Sequence, residues 1–382
     1  LWSPPEGFGS LYADLTTGEM GAIVNDVLIS SDTLQSIENI NYITHHDATV
    51  TGDDDDNRLS TGSGDDTIYG GEGNDTLING SGNDFIYGGD GDDIFYNWSG
   101  TDYYDGGNGN DTIISDFSSK EIEGIVDPQS FEFYLNLNTS IHGLPDWTTD
   151  PDTVINVENY TLIGDFNAEL IGDFKDNILI TDLGNDKIYG GLGNDTINSG
   201  SGDDIIDGGV GNDIISTGDG DDLAIYDGQG SDIFYFGSGV DTLRVSNITG
   251  FSEYRDGDDL IIYSSNGSDY MTAVGAYSEE NRLEYIEYTN APNEDPYSVL
   301  RQVSTNDLIL ETGMHFFAGT SEEDIINAGN ADSISATGYY GDDYFSGSSN
   351  RDFLDGNYGD DILHGNGGDD ILRGDEGNDI IF

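Results

Sequence analysis

Cysteine is absent from the 382 residues, so neither disulfides nor thiolate-bound zinc can hold this chain together. Basic side chains are nearly missing too: 10 Lys and Arg stand against 76 Asp and Glu, a formal net charge of -66 at pH 7. That balance excludes nucleic acid and anionic membrane surfaces as partners, because both are held through basic patches. Apolar side chains make up only 35% of the chain, and no run of them approaches a membrane span of roughly 18 residues, so no transmembrane segment is expected. The opening residues, LWSPPEGFGS, have neither the basic nor the apolar region of a signal peptide, and the chain reads as a fragment or a processed product. Self-repulsion on this scale defeats compaction unless counter-charge is supplied, and multivalent cations are the natural source.

What the chain does have is glycine, 55 residues of it, set in a strict period. From Gly52 to Ile114 the sequence divides without a gap into seven nonapeptides, among them GGEGNDTLI and GGDGDDIFY. A second array starts at Gly172, runs in register for six units to Ile225, and after one extra residue adds two units in a shifted frame, ending at Arg244. A third is imperfect from Gly319 to Thr337 and regular from Gly338 to Phe382. The unit is G-G-x-G-x-D-x-U-x, where U is a large apolar residue. One Gly-Gly-x-Gly-x-Asp marks no more than a turn, but twenty regular units exclude a plain flexible linker.

This pattern resembles the calcium-binding nonapeptide of the RTX (repeats-in-toxin) family. The resemblance covers about half the residues and implies an all-β fold of right-handed parallel β-rolls, three arrays interleaved with small β modules in an elongated chain. The chemistry can be built from the unit. Glycines at the first, second and fourth positions let the backbone turn tightly and point carbonyl oxygens inward. The sixth-position Asp adds a hard anionic oxygen, and calcium accepts six to eight such oxygens at about 2.3 to 2.6 Å. One loop supplies only part of that shell. Two successive units therefore form one turn of the coil, and loops i and i+2 share an ion, on both sides of the coil. On this reading n units hold n minus 2 shared sites, about five in the first array and about fifteen to twenty calcium ions in all.

The candidate ligands are the sixth-position carboxylates: Asp66, Asp75, Asp84, Asp93, Asp102 and Asp111 in the first array. In the second they are Asp186, Asp195, Asp204, Asp213, Asp222, Asp232 and Asp241, and in the third Asp343, Asp352, Asp361, Asp370 and Asp379. Asn57 and Asn177 occupy the same slot and read as array edges, while fifth-position residues such as Asp65 and Asn74 shape the turn. Positions seven to nine form a short strand whose eighth residue points inward: Ile68, Leu77, Ile86, Phe95, Tyr104 and Ile113 in the first array. A stack of single apolar residues gains too little, at roughly 25 cal/mol per Å², to order glycine-rich loops, so ion binding is expected to be coupled to folding.

The expected organisation is a lead-in β module over 1–51, a roll over 52–114, a second lead-in module over 115–171, and a roll over 172–244. A β-rich capping segment over 245–318 and a roll over 319–382 complete it. The second array repeats the first at an offset of 120 residues, and so do the stretches before them, DTLQSIENI at Asp32 and DTVINVENY at Asp152. The alternating apolar residues of these stretches suit strands that cap a roll's first turn. FSEYRDGDDLIIYSSNGSDYMTAV has a hairpin pattern, and NRLEYIEYTN offers Leu283, Tyr285 or Ile286, and Tyr288 to a buried face.

Catalytic signals are lacking. No H-E-x-x-H and no G-x-S-x-G occurs, and His45, His46 and His364 read as surface residues. Asp127-Pro128, Asp150-Pro151 and Asp295-Pro296 read as turns, and the sequons at Asn247 and Asn266 permit glycosylation. Two functions fit. One is a non-enzymatic, calcium-folded segment of an exported bacterial surface protein, of surface-layer, fibre or adhesin type, meeting other copies of itself or cell-surface polysaccharide. The other is the secretion and folding region of a larger exported enzyme or toxin. The resemblance implies type I export and an extracellular or cell-surface location in both.

Overall fold

The computed structural model describes residues 10–24, 27–33, 38–41, 45–97, 99–118, 132–143, 151–246, 251–256, 259–264, 269–277, 283–289, 298–302, 307–309, 314–318, 325–327, 333–338 and 340–382. Every regular element among them is a strand, and the chain divides into two compact units, Leu1–Ile188 and Tyr189–Phe382.

In the first unit the nonapeptide period becomes a parallel coil with an 18-residue turn. Thr67–Glu72 pairs in parallel with Phe85–Asp90, which pairs with Tyr103–Asn108, so that Ile68 lies opposite Ile86 and Ile86 opposite Tyr104. The intervening units build a second sheet from Arg58–Ser60, Thr76–Ile78, Ile94–Asn97 and Thr112–Asp116. Successive loops therefore fall alternately on two edges of the coil. The eighth-position residues meet between the sheets as expected: Leu59, Ile68, Phe95 and Ile113 are fully buried, and Phe95 packs edge-on against Tyr104 at 5.8 Å.

The segment after the first array carries the same ladder onward. Asp152–Ile155 pairs in parallel with Tyr103–Asn108, and Asn159–Ile163 pairs with Thr112–Asp116 on one side and Ile178–Ile180 on the other. The D-T-V-I-N-V-E-N stretch is thus itself a turn of the coil, because its apolar residues fall at the spacing that the sheets require. The 120-residue duplication is visible as well. Ser10–Asp14 runs antiparallel to Glu19–Val24 and parallel to Ala48–Thr51, and Glu132–Asn136 runs antiparallel to Ile141–Gly143 and parallel to Asn167–Ile171.

In the second unit the coil absorbs the extra residue Tyr226 by lengthening one turn: Ile214 pairs with Ile233 and Leu223 with Thr242, each 19 residues apart. The expected hairpin forms, with Phe251–Asp256 antiparallel to Asp259–Ser264, and a third strand, Tyr270–Val274, joins it to the roll by pairing in parallel with Ser231–Tyr235. Leu283–Thr289 pairs with Asp241–Ser246 across a bulge that skips Glu284. That bulge explains why Leu283 and Ile286, three residues apart, are both buried.

The third array begins earlier than its repeats. Asp307–Ile309 and Met314–Ala318 pair in parallel with Ile325–Asn327 and Ser333–Thr337. Turns of 19 residues occur twice here, Met314 to Ser333 and Ile325 to Tyr344, which is the physical form of the frame break at 319–337. His364 is half-buried and stacks on Phe382 at 5.0 Å rather than facing solvent, because its neighbour in the next turn is aromatic. Asp127-Pro128, Asp295-Pro296, Asp150 and the sequon residues Asn247 and Asn266 lie outside the described residues.

Candidate metal centres

Glycine sets the loop geometry in two ways. Second- and fourth-position glycines such as Gly71 (φ 125°) and Gly73 (φ 101°) lie in the region closed to L side chains. First-position Gly70 has an ordinary φ, yet a Cβ there would run into Asp75 Oδ2 and Gly88 O. The same pair of oxygens recurs one turn on: a Cβ at Gly88 would meet Asp93 Oδ2 and sit 2.5 Å from Gly106 O. Gly106 faces Asp111 Oδ2 and Asn156 O, and Gly190 faces Asp195 Oδ2 and Gly208 O. Each cradle thus joins a carboxylate of one loop to a carbonyl of the loop two units later, as the sharing of ions between loops i and i+2 requires.

Most sixth-position carboxylates are buried, and in several only one oxygen is used. Asp93 Oδ1 accepts from the backbone N–H of Asp75 at 2.8 Å, Asp111 Oδ1 from that of Asp93 at 2.8 Å, and Asp84 Oδ1 from that of Asp66 at 2.7 Å. The ladder crosses the extra residue of the second array, where Asp232 Oδ1 accepts from Asp213 and Asp241 Oδ1 from Asp222. It continues in the third, from Asp343 to Asp361, Asp352 to Asp370 and Asp361 to Asp379. Oδ2 of Asp75, Asp93, Asp111, Asp241 and Asp361 accepts no hydrogen bond at all. An anionic oxygen left this way inside a fold is costly, and a hard cation satisfies it.

Electrostatics agree with that geometry. Burial pushes Asp75 up to about 6 and Asp93 and Asp111 up to about 7, outweighing the backbone N–H donors that pull each down. Asp84, Asp102, Asp186, Asp222, Asp232 and Asp241 rise for the same first reason, Asp232 to about 8. Among the described residues no three His, Asp or Glu side chains gather into one cluster. A metal shell here must therefore be rich in backbone carbonyls, which suits calcium and not zinc.

Three sets of residues take roles that the sequence reading did not assign to them. Glu158 and Glu284 end the carboxylate ladders, Glu158 Oε2 accepting from Asp111 N at 2.9 Å and Glu284 Oε2 from Asp241 N at 2.8 Å. Fifth-position side chains form a counter-ladder: Asn74 Oδ1 accepts from Asp92 N and Asp65 Oδ1 from Asn83 N, so they reach forward one turn where the sixth-position side chains reach back. First-position residues other than glycine form the third set. They alternate with glycine through Gly52, Thr61, Gly70, Asn79, Gly88, Asn97 and Gly106, a signal open to reading in the sequence. Asn57 and Asn177, read as array edges, close their own turns by accepting from Asp53 N and Asp173 N at 2.8 Å. In the third array Ser348 donates to Asp352, whereas Asp370 and Asp379 are more exposed than their counterparts.

Comparison with known proteins decides the family. The profile of the RTX calcium-binding nonapeptide repeat, four copies long, matches residues 51–86, 78–113, 163–197, 171–206, 191–224, 207–243, 337–372 and 346–381. The chain belongs to the RTX calcium-binding repeat family. No curated protein matches. Among 19 matching chains of solved structures is the extracellular lipase LipA from Serratia marcescens, 19% identical with a TM-score of 0.26, over 61% of this chain and 38% of that one. The RTX chain thus spans well under half the length of that lipase.

Among the described residues of this RTX protein, His45 Nδ1 lies 2.8 Å from Ser63 Oγ, one turn away.

Proposed function

We propose that this chain is a calcium-folded, non-enzymatic segment of a secreted surface protein of surface-layer, fibre or adhesin type. The observation that carries the calcium part is the repeated cradle, in which an unpartnered buried Oδ2 and a carbonyl from the next turn converge over a first-position glycine. Asp75, Asp93 and Asp111, with the carbonyls of Gly88, Gly106 and Asn156, would hold ions in the first array, and Asp361 over Gly356 lies in an equivalent slot. Calcium supplies there the positive charge that lets stacked carboxylates ionise together.

The structural role is supported by continuity. Within the first unit the parallel ladder runs from the first array through Asp152–Ile155 and Asn159–Ile163 into the strand Ile178–Ile180, so the described strands between the two arrays continue the coil. Extracellular calcium modules bind at about 10⁻⁴ to 10⁻³ M, so folding would wait for export from a calcium-poor cytoplasm.

The test is intact-mass analysis of the native polypeptide with mapping of its termini, together with ester and peptide hydrolysis assays on the calcium-loaded chain. The proposal expects repeats and β modules throughout and no turnover. A protease or lipase motif upstream of this chain, or turnover by the chain itself, would replace it with the reading of a secretion region of a larger enzyme.

A further inference from the structure

The two edges of the coil are not chemically alike. On one edge of the first array every loop opens with glycine: Gly52, Gly70, Gly88 and Gly106. On the other the same position holds Thr61, Asn79 and Asn97. The second array repeats the contrast, with Gly190 and Gly208 on one edge and Ser199 and Thr217 on the other.

The side chains on the second edge sit where an ion would. Asn79 Nδ2 donates at 2.9 Å to Asp84 Oδ2 of its own loop and at 2.9 Å to Asp102 Oδ2 of the loop one turn on. An amide thus bridges two carboxylates that a cation would otherwise join. Asn97 Nδ2 donates to Asp152 Oδ2 at 3.0 Å. Thr61 Oγ1 donates at 2.6 Å to the carbonyl of Asn79, and Ser199 Oγ at 2.6 Å to that of Thr217, the carbonyls equivalent to Gly88 O in the open cradle. Oδ2 of Asp75, Asp93 and Asp111 has no donor; on the second edge Oδ2 of Asp66 and Asp222 has none either, so the two edges differ there through the side chain at the first position rather than through the carboxylate.

Sterics give the same answer. At Gly70 a Cβ would fall at coordination distance from both the carboxylate and the carbonyl, in the space that an ion bridging them would use. A side chain at the first position and an ion in the cradle therefore exclude each other.

We infer that the first and second arrays load calcium along the glycine edge alone, and that first-position Thr, Asn and Ser side chains close the other edge. Asp84 and Asp102 then serve as hydrogen-bonded struts rather than ligands, and the first array holds about three ions, at Gly70, Gly88 and Gly106, instead of the five expected from loading both edges. The third array is built differently: Gly338, Gly347, Gly356, Gly365 and Gly374 all open their loops, so no first-position side chain closes either edge, although on the Gly347 edge Asp352 Oδ2 accepts from Ser348 N at 2.6 Å. A Cβ at Gly347 would lie 2.5 Å from Asp352 Oδ2 and 2.8 Å from Gly365 O, and one at Gly338 would lie 2.6 Å from Gly356 O. Closing one edge fixes half of each loop pair without metal, and the open edge then folds against a partly ordered template.

The inference rests on the calcium reading above, and the experiment separates the two. The metal-stripped full chain is brought to equilibrium with millimolar calcium and its bound ions are counted by native mass spectrometry and equilibrium dialysis, with circular dichroism on the same samples. Asp93→Ala should lose about one ion, Asp84→Ala none, and Asn79→Gly should gain about one as its cradle opens. Equal losses from Asp93→Ala and Asp84→Ala with native spectra would overturn the inference while leaving calcium binding intact. If Asp84→Ala loses its β-spectrum, Asn79→Gly decides, and no added ion there overturns it. A wild-type chain that binds no calcium overturns both readings.

Discussion

Removing calcium should make this fold an acid-stable one. Asp75 titrates at about 6 and Asp93 and Asp111 at about 7 inside the metal-free coil, against 3.8 in an unfolded chain, and burial is the leading cause. A folded-state value raised in this way stabilises the fold fully below about pH 4 and loses that contribution as the pH climbs through 6 to 7. Each pH unit in that window costs about 1.4 kcal/mol per carboxyl, hence about 3 to 4 kcal/mol for each of the three groups before solvent screening and about half that after it. The three together then cost about 5 to 6 kcal/mol, as much as the whole stability of a marginal domain. Metal-free protein, stripped on a chelating resin so that no soluble chelator titrates, should show β-type circular dichroism and a compact scattering profile at pH 4.5. Both should be lost by pH 8, and millimolar calcium at pH 8 should restore them. A metal-free chain that is equally folded at both pH values, or better folded at pH 8, would refute the argument.

Magnesium should fail where calcium succeeds, because it demands a tight octahedral shell and gives up water reluctantly, and dichroism with each ion at millimolar concentration at pH 8 checks this. Gly70→Ala should place a methyl group against Asp75 Oδ2 and Gly88 O and cost about one bound ion, counted by native mass spectrometry, whereas a surface Ser or Thr replaced by Ala should cost none. Phe95→Ala should lower the stability of the calcium-loaded chain by about 3 to 5 kcal/mol in denaturant titration, because Phe95 is fully buried against Tyr104. Asn74→Ala should cost only about 0.5 to 1.5 kcal/mol by the same titration, since it removes a single exposed acceptor from Asp92 N.

The period of nine by itself determined most of this molecule. Glycine at fixed positions dictates where the chain turns, an apolar residue at the eighth position dictates which face is buried, and Asp at the sixth dictates where negative charge accumulates. From those three facts follow the strands, the core of Ile68, Leu77 and Phe95, and the need for a divalent cation. The 120-residue duplication and the hairpin at Phe251–Ser264 were equally legible, since local pattern alone specifies them.

Only the tertiary structure decided what each carboxylate oxygen does. Asp75, Asp84 and Asp93 occupy one slot in the repeat; the sequence shows Asn79 where the other two units have glycine, but not that Asn79 bridges Asp84 Oδ2 to the next turn while Oδ2 of Asp75 and Asp93 is left without a donor. That difference comes from the residue five positions earlier and from the carboxylate one turn on, which meet only when the coil is wound. Glu158 and Glu284 were hidden for the same reason, because a glutamate outside the repeat takes the sixth-position role only when its strand is laid on the last regular turn. Local preference sets the shape of a loop, but the partner of a buried oxygen is a contact between turns.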